Sequence, residues 1–282
     1  MKKPGTIAVL GLLLLAQACM HADRSVVRVR GGTFAMGIDS AKIPGLEQIF
    51  GISDGRLFAD EVPRHLVTVD DFELDATLVT NAQFKRFTEA NPQWEATGIA
   101  AASKAKADHP VVEVTWYAAV AYCRWDGKRL PTEAEWEIAA RGGRDALFPW
   151  GDEPVDATRA NFSGSGRKTT SPVRSYPPNG YGLFDMAGNV WQFLADEWMP
   201  YPSTAQNNPV AGGNAFSEGQ SFLQVKTRRV IRGGSFAGAP INLWVDYRDS
   251  HPPDGAREFV GFRCARSANR APSFDNAAVP RR

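Results

Sequence analysis

The sequence has little cysteine: Cys19, Cys123 and Cys264 are the only three among 282 residues. No group of His and Cys residues has the spacing of a zinc or copper site. The chain also lacks an excess of positive or negative charge, because its formal net charge is only +1. Such a balance gives no electrostatic argument for nucleic acid or an anionic membrane surface. We therefore predict no nucleic-acid partner.

Long hydrophobic runs are missing as well. The apolar run at residues 7–15 is too short to span a bilayer. It follows two lysines and precedes an A-x-A pattern at residues 16–18, which is typical of a secretory signal peptide. We therefore expect residues 1–18 to be a signal peptide and the mature protein to be periplasmic. Cys19 follows directly, so a lipid anchor there stays open, although Gln17 fits a lipoprotein box poorly.

The remaining composition is that of an ordinary globular chain, with 43% hydrophobic and 22% charged residues. Its 26 glycines, 19 prolines and 8 tryptophans favour a loop-rich fold held by aromatic clusters. The length suits one large domain or two small ones. Because no internal repeat or low-complexity linker divides the chain, we predict one compact α+β domain with much irregular structure.

Periodicity and capping residues place the first regular elements. Alternating apolar residues predict strands within 26–37 and 65–74, and the Gly- and Asp-rich segment 38–61 between them indicates a loop. Thr80 is expected to cap a helix through residue 87, and helical spacing predicts another helix at 116–125.

The later half of the chain has fewer such signals. Thr132 and Glu135 form a capping-box pattern that starts a helix, whose charges are expected to pair locally. Short strands are expected at 228–232 and 259–263, and the rest after residue 148 indicates turns and loops. Arg263 is expected to be a buried donor to loop carbonyls.

Four motifs together resemble one family. They are KRLPTEAEWE at 128–137, GYGLFDMAGNVW at 180–191, RGGSF at 232–236 and VGFRC at 260–264. This set is similar to the sulfatase-modifying, formylglycine-generating enzyme family over residues 28–266. The resemblance implies that family's fold, which is related to C-type lectins, in a single domain. Residues 19–27 would then be a linker and residues 267–282 a tail.

The family works with two cysteines shortly after its Gly-Gly-Ser motif. Here residues 237–250 read AGAPINLWVDYRDS and contain none. The resemblance therefore implies the fold without the copper-binding thiols, and it argues against formylglycine generation. In this respect the chain is similar to a cysteine-less branch of the family, periplasmic proteins that mature the siderophore pyoverdine.

A disulfide is expected between Cys123 and Cys264. Once Cys19 is removed or lipidated, these two remain, and secreted cysteines are usually paired. The resemblance implies the same bridge. The family's other structural bridge falls at Ala140 and Val245, so both of its cysteines are missing together.

The resemblance also implies a calcium site built from loop oxygens. Its positions in this chain are Asn161, Asn189 and Gln192. Gln192 stands where the family has a glutamate, and Ser165 stands near the position of an aspartate. Because calcium prefers anionic oxygen ligands, we expect at most one weak structural calcium site.

The loop that forms the family's cleft offers candidates to replace the thiols. Glu258 lies beside Phe259, and burial among apolar residues would raise the pKa of its carboxyl and make it a general base. A solvated or salt-bridged carboxylate beside Arg257 is the alternative. His251 is the second acid/base candidate. The residues expected to bind substrate are Trp244, Tyr247 and Arg248.

The resemblance implies an oxidoreductase that converts dihydropyoverdine, a small peptide siderophore precursor, to pyoverdine, with a carboxylate base. No cofactor motif identifies the electron acceptor, and other periplasmic maturation proteins are possible partners. The alternative is a non-catalytic, lectin-like envelope module that binds a glycan or a protein. A buried carboxylate with a shifted pKa in the cleft would favour the enzyme. An open aromatic platform without one would favour the binding module.

Overall fold

The computed structural model describes residues 25–94, 106–213 and 222–268. The expected signal peptide, Cys19 and nearly all of the expected tail lie outside these ranges. Among the described residues, no helix combines the length and the apolar character needed to cross a membrane.

The described residues form four α-helices, ten β-strands and short 3-10 turns. The helices are α1 (Ile43–Phe50), α2 (Asn81–Ala90), α3 (Trp116–Trp125) and α4 (Glu133–Arg141). The strands are β1 (Val26–Val29), β2 (Gly32–Met36), β3 (His65–Val69), β4 (Phe72–Asp75), β5 (Trp191–Glu197), β6 (Gln206–Asn207), β7 (Arg229–Arg232), β8 (Arg248–His251), β9 (Val260–Gly261) and β10 (Ala265–Ser267).

The strands make three small sheets, with the orders β1-β4-β10, β2-β3-β6 and β8-β7-β5-β9. Pairing is antiparallel except between β3 and β6 and between β5 and β9. Helices and sheets alternate irregularly along the chain, and long connections join them. The predicted α+β class with much irregular structure is confirmed.

Three helices begin at threonines because each hydroxyl replaces a missing backbone partner in the first turn. Thr80, Thr115 and Thr132 accept hydrogen bonds from the backbone N–H three residues ahead. Gln83 and Glu135 complete capping boxes by accepting from the N–H of Thr80 and Thr132. The helix starts predicted at residues 80 and 132 are confirmed.

Two expectations about regular structure are wrong. Segment 38–61, expected to be a loop, contains α1 and a 3-10 helix at Gly55–Glu61. The region after residue 148 was expected to be mostly turns, but β5 lies there and pairs with both β7 and β9. Six of the seven residues of β5 are buried. A strand buried on both faces has no apolar–polar alternation, so its sequence lacks the usual strand signal.

Helix α3 packs against the four-stranded sheet through its buried face. The indole of Trp116 donates to the carbonyl of Leu194 in β5 at 2.8 Å. The ring of Tyr122 packs on Phe84 and Phe262, with centroids 5.7 and 5.4 Å apart. This aromatic core fixes α3 relative to β5 and β9.

The predicted disulfide between Cys123 and Cys264 is confirmed. The two Cα atoms are 5.6 Å apart, within the usual range, and both residues are fully buried. The bridge ties α3 to the segment between β9 and β10. Beside it, Arg263 donates to the carbonyls of Asp75 and Phe184 at 3.0 and 2.7 Å, as the sequence predicts.

Candidate functional site

The Gly-Gly-Ser motif forms a tight turn after β7. Gly233 and Gly234 have φ angles of 93° and 71°, a region that favours glycine. A Cβ on Gly234 would lie 2.8 Å from the carbonyl oxygen of Asn242. The turn therefore packs directly on the 3-10 helix Pro240–Leu243. We call residues 237–250 the cleft segment, because the family carries its cysteines at the start of this stretch.

The first two amides expected to bind calcium are already hydrogen-bonded to protein. The Oδ1 of Asn161 accepts from the Ser165 hydroxyl at 3.0 Å. The Oδ1 of Asn189 accepts from the backbone N–H of Ser171 at 2.9 Å. Both side chains are almost fully buried, so these bonds are what stabilise the amides in the interior.

The third amide, Gln192, faces a cation. Its Oε1 accepts from the indole of Trp136 at 3.0 Å and from the guanidinium of Arg263 at 2.7 Å. A divalent cation at this oxygen would lie against a positive charge, so the three amides as placed do not fit a calcium ion. No group of three or more His, Cys, Asp or Glu residues within the described ranges could hold a metal.

The described ranges also contain no free thiol, because Cys123 and Cys264 form the disulfide. The residues present therefore do not fit the thiolate-bound copper of the family. We expect no conversion of a sulfatase cysteine peptide to formylglycine by the purified protein. Mass spectrometry of the peptide after incubation with protein and copper measures this. Detection of the aldehyde product would refute the account of the lost thiols.

Arg248, expected to bind substrate, is a buried structural residue instead. Its Nε and Nη2 donate to the two carboxylate oxygens of Glu133 at 2.9 and 2.8 Å. Its Nη1 donates to the carbonyl of Met199 at 2.9 Å, and its guanidinium lies 3.9 Å from the ring centroid of Tyr201. Protein groups thus engage each of its three guanidinium nitrogens, and the structure leaves none for a substrate.

Trp244, also expected to bind substrate, lies in the core. It is 1% exposed and packs against Phe50 and Phe58, with ring centroids 6.1 and 5.9 Å apart. Phe50 belongs to α1, which the sequence did not predict. This helix covers the indole, so Trp244 does not form an open aromatic platform.

The side chain of Tyr247 is partly exposed, as a contact with substrate requires. It is half-buried, and its ring packs on Trp191 with centroids 6.1 Å apart. Burial raises the pKa of Tyr247 to about 12, so the phenol is neutral at neutral pH. Of the three residues expected to bind substrate, Tyr247 is the one that can still do so in this arrangement.

The two expected acid/base residues have different surroundings. His251 is half-buried against Phe193, and its Nε2 is buried without a hydrogen-bond partner among the described residues. Burial lowers the pKa of His251 and favours the neutral ring. Glu258 is exposed in a turn before β9, so the burial among apolar residues that the sequence predicts for it is absent. Its role as the base stays a prediction without that support.

A different carboxyl group, that of Glu61, is buried against the cleft segment and has the raised pKa expected of a base. It ends the 3-10 helix Gly55–Glu61 and is 1% exposed. Its Oε1 accepts from the backbone N–H of Arg248 at 3.0 Å, and its Oε2 is buried with no partner in the described part of the chain. Burial raises the pKa of Glu61 to about 8. The cleft segment therefore contacts a carboxyl group that can exchange a proton near neutral pH.

Sequence reasoning missed Glu61 because its environment comes from a distant part of the chain. Its hydrogen-bond partner Arg248 lies 187 residues away. The sequence predicts a loop that ends at Glu61, and a carboxylate in a loop is normally solvated. Only the folded chain shows that it is buried.

Glu61→Gln should change how stability depends on pH. The folded pKa of about 8 lies above the unfolded value near 4.5, so the unfolded state loses its proton first. The contribution of Glu61 to the free energy of unfolding therefore falls as pH rises through this window. Glutamine has no such proton, so the variant's stability relative to wild type should rise by a few kcal/mol between about pH 5 and pH 8. Urea unfolding across this range measures it, and a constant difference would count against the shifted pKa.

A network of buried charges lies next to the cleft segment and joins α4 to β7. Arg232 is fully buried and donates to Glu133 at 2.7 Å and to Glu137 at 2.6 Å. Arg141 donates to Glu137 at 2.9 Å and to Asp246 at 2.6 Å. The local pairing expected for α4 is present between Glu137 and Arg141 and between Glu135 and Arg129. Glu133 and Glu137 also pair with Arg232, across 99 and 95 residues. The network holds the cleft segment against α4.

The sequence of this chain is similar to that of several known proteins. The family profile described as sulfatase-modifying factor enzyme 1-like domain matches residues 14–268. The chain is 34% identical to formylglycine-generating enzyme of Streptomyces coelicolor, over 88% of this chain and 91% of that protein. It is 39% identical to serine/threonine-protein kinase pkn1 of Chlamydia pneumoniae over 74% of this chain. The match spans only 35% of that kinase, about a third of its length.

Solved structures show the same relationship. PvdO from Pseudomonas aeruginosa is 27% identical and superposes with a TM-score of 0.65, over 86% of this chain and 94% of that one. Treponema denticola variable protein 1 has a TM-score of 0.64 at 23% identity, over 86% and 94% of the two chains, and so shares the fold. The chain therefore belongs to the sulfatase-modifying, formylglycine-generating enzyme family, in its PvdO-like branch without the active-site cysteines.

Proposed function

We propose that the protein is a periplasmic, siderophore-tailoring oxidoreductase that oxidises the dihydro chromophore of a pyoverdine-type peptide to its aromatic form. The observation that carries this proposal is Glu61, a buried carboxyl group with an unpartnered oxygen and a pKa of about 8 at the cleft segment. The missing thiols and the likeness to PvdO support the same branch of the family.

The proposed reaction removes two electrons and two protons from the dihydro ring. Because Glu61 is 1% exposed, the proposal requires the cleft segment to open toward the substrate. Glu61 in its ionised form then takes one proton, and a carboxylate with a pKa near the working pH is suited to that task. Dioxygen takes the electron pair and both protons, including the one that Glu61 first accepts and then releases, and becomes hydrogen peroxide. A partner protein that accepts the electrons is the alternative. Tyr247, packed on Trp191, supplies the half-buried aromatic surface on which the ring lies.

Glu61→Gln should lower chromophore maturation by about 10²- to 10⁴-fold, because the amide keeps the shape and removes the proton acceptor. The measurement is mass spectrometry of the siderophores made by a gene-deletion strain that carries each variant. Glu258→Gln is the matched control, an equal change at an exposed carboxylate.

The outcomes of this comparison separate the candidates. If Glu258→Gln fails and Glu61→Gln matures the chromophore fully, Glu258 is the base, as the sequence predicts. If the deletion strain itself makes only the aromatic form, the proposed function is wrong. Loss of maturation with Glu61→Gln alone supports the proposal.

The lectin-like binding module has less support from the geometry. That function would use an open aromatic platform, and Trp244 is covered by α1 instead. The fold alone fits both functions, since one fold can carry many. Full maturation by both glutamine variants, together with retained binding of an envelope glycan or protein, would favour the binding module.

A further inference from the structure

A cavity lies between the segment before α3 and the loop that follows Asn161. Its volume is about 510 Å³. We call it the basic cavity, and its lining residues are Lys106, Asp108, His109, Arg167, Lys168, Thr169, Thr170 and Pro172. None of these belongs to the cleft segment, so the inference below does not depend on the proposed function.

The charge of the basic cavity is positive and unneutralised. Lys106, Arg167 and Lys168 contribute three positive charges, whereas Asp108 contributes one negative charge. No described residue lies within ion-pair distance of any of the three cations. Because both walls carry cations, an anion entering the cavity would be attracted from two sides.

Another surface cavity provides a comparison. It is lined by residues that include Arg64, Arg141 and Asp145. There Asp145 lies 3.1 Å from Arg141 and 4.0 Å from Arg64, so the arginines already have an anionic partner. Lys106, Arg167 and Lys168 of the basic cavity have no such anionic partner in the described ranges.

A histidine, His109, also lines the basic cavity. His109 is 8% exposed, and its Nδ1 is 2.8 Å from the hydroxyl oxygen of Thr170. Its Nε2 has no hydrogen-bond partner among the described residues. Burial, with Lys106 and Arg167 nearby, lowers the pKa of His109, against the opposing effect of Asp108. The ring is therefore neutral at neutral pH until an anion arrives.

Both walls of the cavity are fixed in place by backbone hydrogen bonds. The first residues of α2 hold one wall, because the Nδ2 of Asn81 donates to the carbonyl of Lys106 at 3.0 Å and its N–H donates to that of His109 at 2.9 Å. The Nδ2 of Asn161 holds the other wall by donating to the carbonyl of Thr169 at 2.9 Å. Fixed walls reduce the ordering that binding would otherwise require.

We propose that the basic cavity binds a small ligand through an oxyanion group, a phosphate, sulfate or carboxylate. Arg167 and Lys168 provide charge-assisted hydrogen bonds, Lys106 adds charge from the opposite wall, and His109 contacts the bound oxygen through Nε2. The size of the cavity leaves room for a ligand larger than the oxyanion itself.

The test follows the ring signals of His109 by NMR while inorganic phosphate, sulfate or succinate is added at constant ionic strength. We expect a saturable shift with at least one of the three and a rise in the pKa of His109, because a bound anion favours the imidazolium. Whichever probe binds most tightly identifies the oxyanion. The absence of a saturable shift with all three would overturn the proposal.

Substitutions of the lining residues test whether the probe binds in the basic cavity. Arg167→Ala combined with Lys168→Ala should weaken binding of the best probe by about tenfold or more, since two charged contacts are lost. Both side chains are exposed, so the fold should be unaffected. Lys42→Ala removes an exposed lysine elsewhere and should leave the affinity unchanged. Equal weakening in both proteins would mean general electrostatic attraction and would exclude a built site.

Discussion

Replacing Cys123 and Cys264 together by alanine lowers the free energy of unfolding by about 4–5 kcal/mol. The bridge closes a loop across 141 residues, and a cross-link of that length removes much of the conformational freedom of the unfolded chain. The sulfur atoms are also fully buried, so the variant loses packing between α3 and the segment after β9. Urea unfolding of the two proteins gives the difference.

A reductant provides the control. It should destabilise the wild-type protein by a similar amount and leave the alanine variant unchanged, because only the wild type has a bond to break. Two free thiols in the mature protein by mass spectrometry, or a double variant as stable as the wild type, would disprove the bridge.

Arg232→Met should cost about 3–5 kcal/mol, because it leaves two buried carboxylates without their shared partner. Arg232 donates to Glu133 and Glu137 and also to the carbonyl of Val245 at 2.7 Å. Methionine fills similar space and replaces none of these bonds. The loss should appear as a lower midpoint of urea unfolding with little change in its slope.

An exposed ion pair is the matched control for Arg232→Met. Lys85 and Glu89 lie 3.8 Å apart on α2, with both side chains mostly in solvent. Lys85→Met should change the free energy of unfolding by less than about 1 kcal/mol, since exposed pairs contribute little. Equal effects of the two substitutions would mean that the buried network contributes no more to stability than an exposed ion pair does.

The parts of the fold that the sequence predicted are those set by neighbouring residues. The caps at Thr80 and Thr132 depend on groups three residues away, and a local pattern is enough to identify them. The disulfide followed from cysteine count and resemblance, and the structure confirms it. Helix α1 was not predicted because it contains Pro44 and Gly45, two residue types that usually indicate a loop. Proline is nevertheless tolerated in the first turn of a helix.

The parts that the sequence did not predict are set by distant contacts. Trp244 is in the core because α1 covers it, and Arg248 is buried because Glu133 pairs with it from 115 residues away. Glu61 owes its raised pKa to the same kind of burial. A residue type beside a cleft motif indicates chemistry, but its exposure depends on which other segments pack against it. This is why Glu61, and not Glu258, is the buried carboxyl group at the cleft segment.

The most direct test of the account is an in vitro oxidation. Purified mature protein is mixed with the dihydro form of a pyoverdine-type peptide in air, and loss of two hydrogen atoms is followed by mass spectrometry. We predict conversion faster than in a protein-free sample, one hydrogen peroxide per chromophore if dioxygen is the acceptor, and a marked slowing with Glu61→Gln. A rate equal to that of the protein-free sample, with and without a periplasmic extract to supply an acceptor, would contradict the proposed oxidoreductase function.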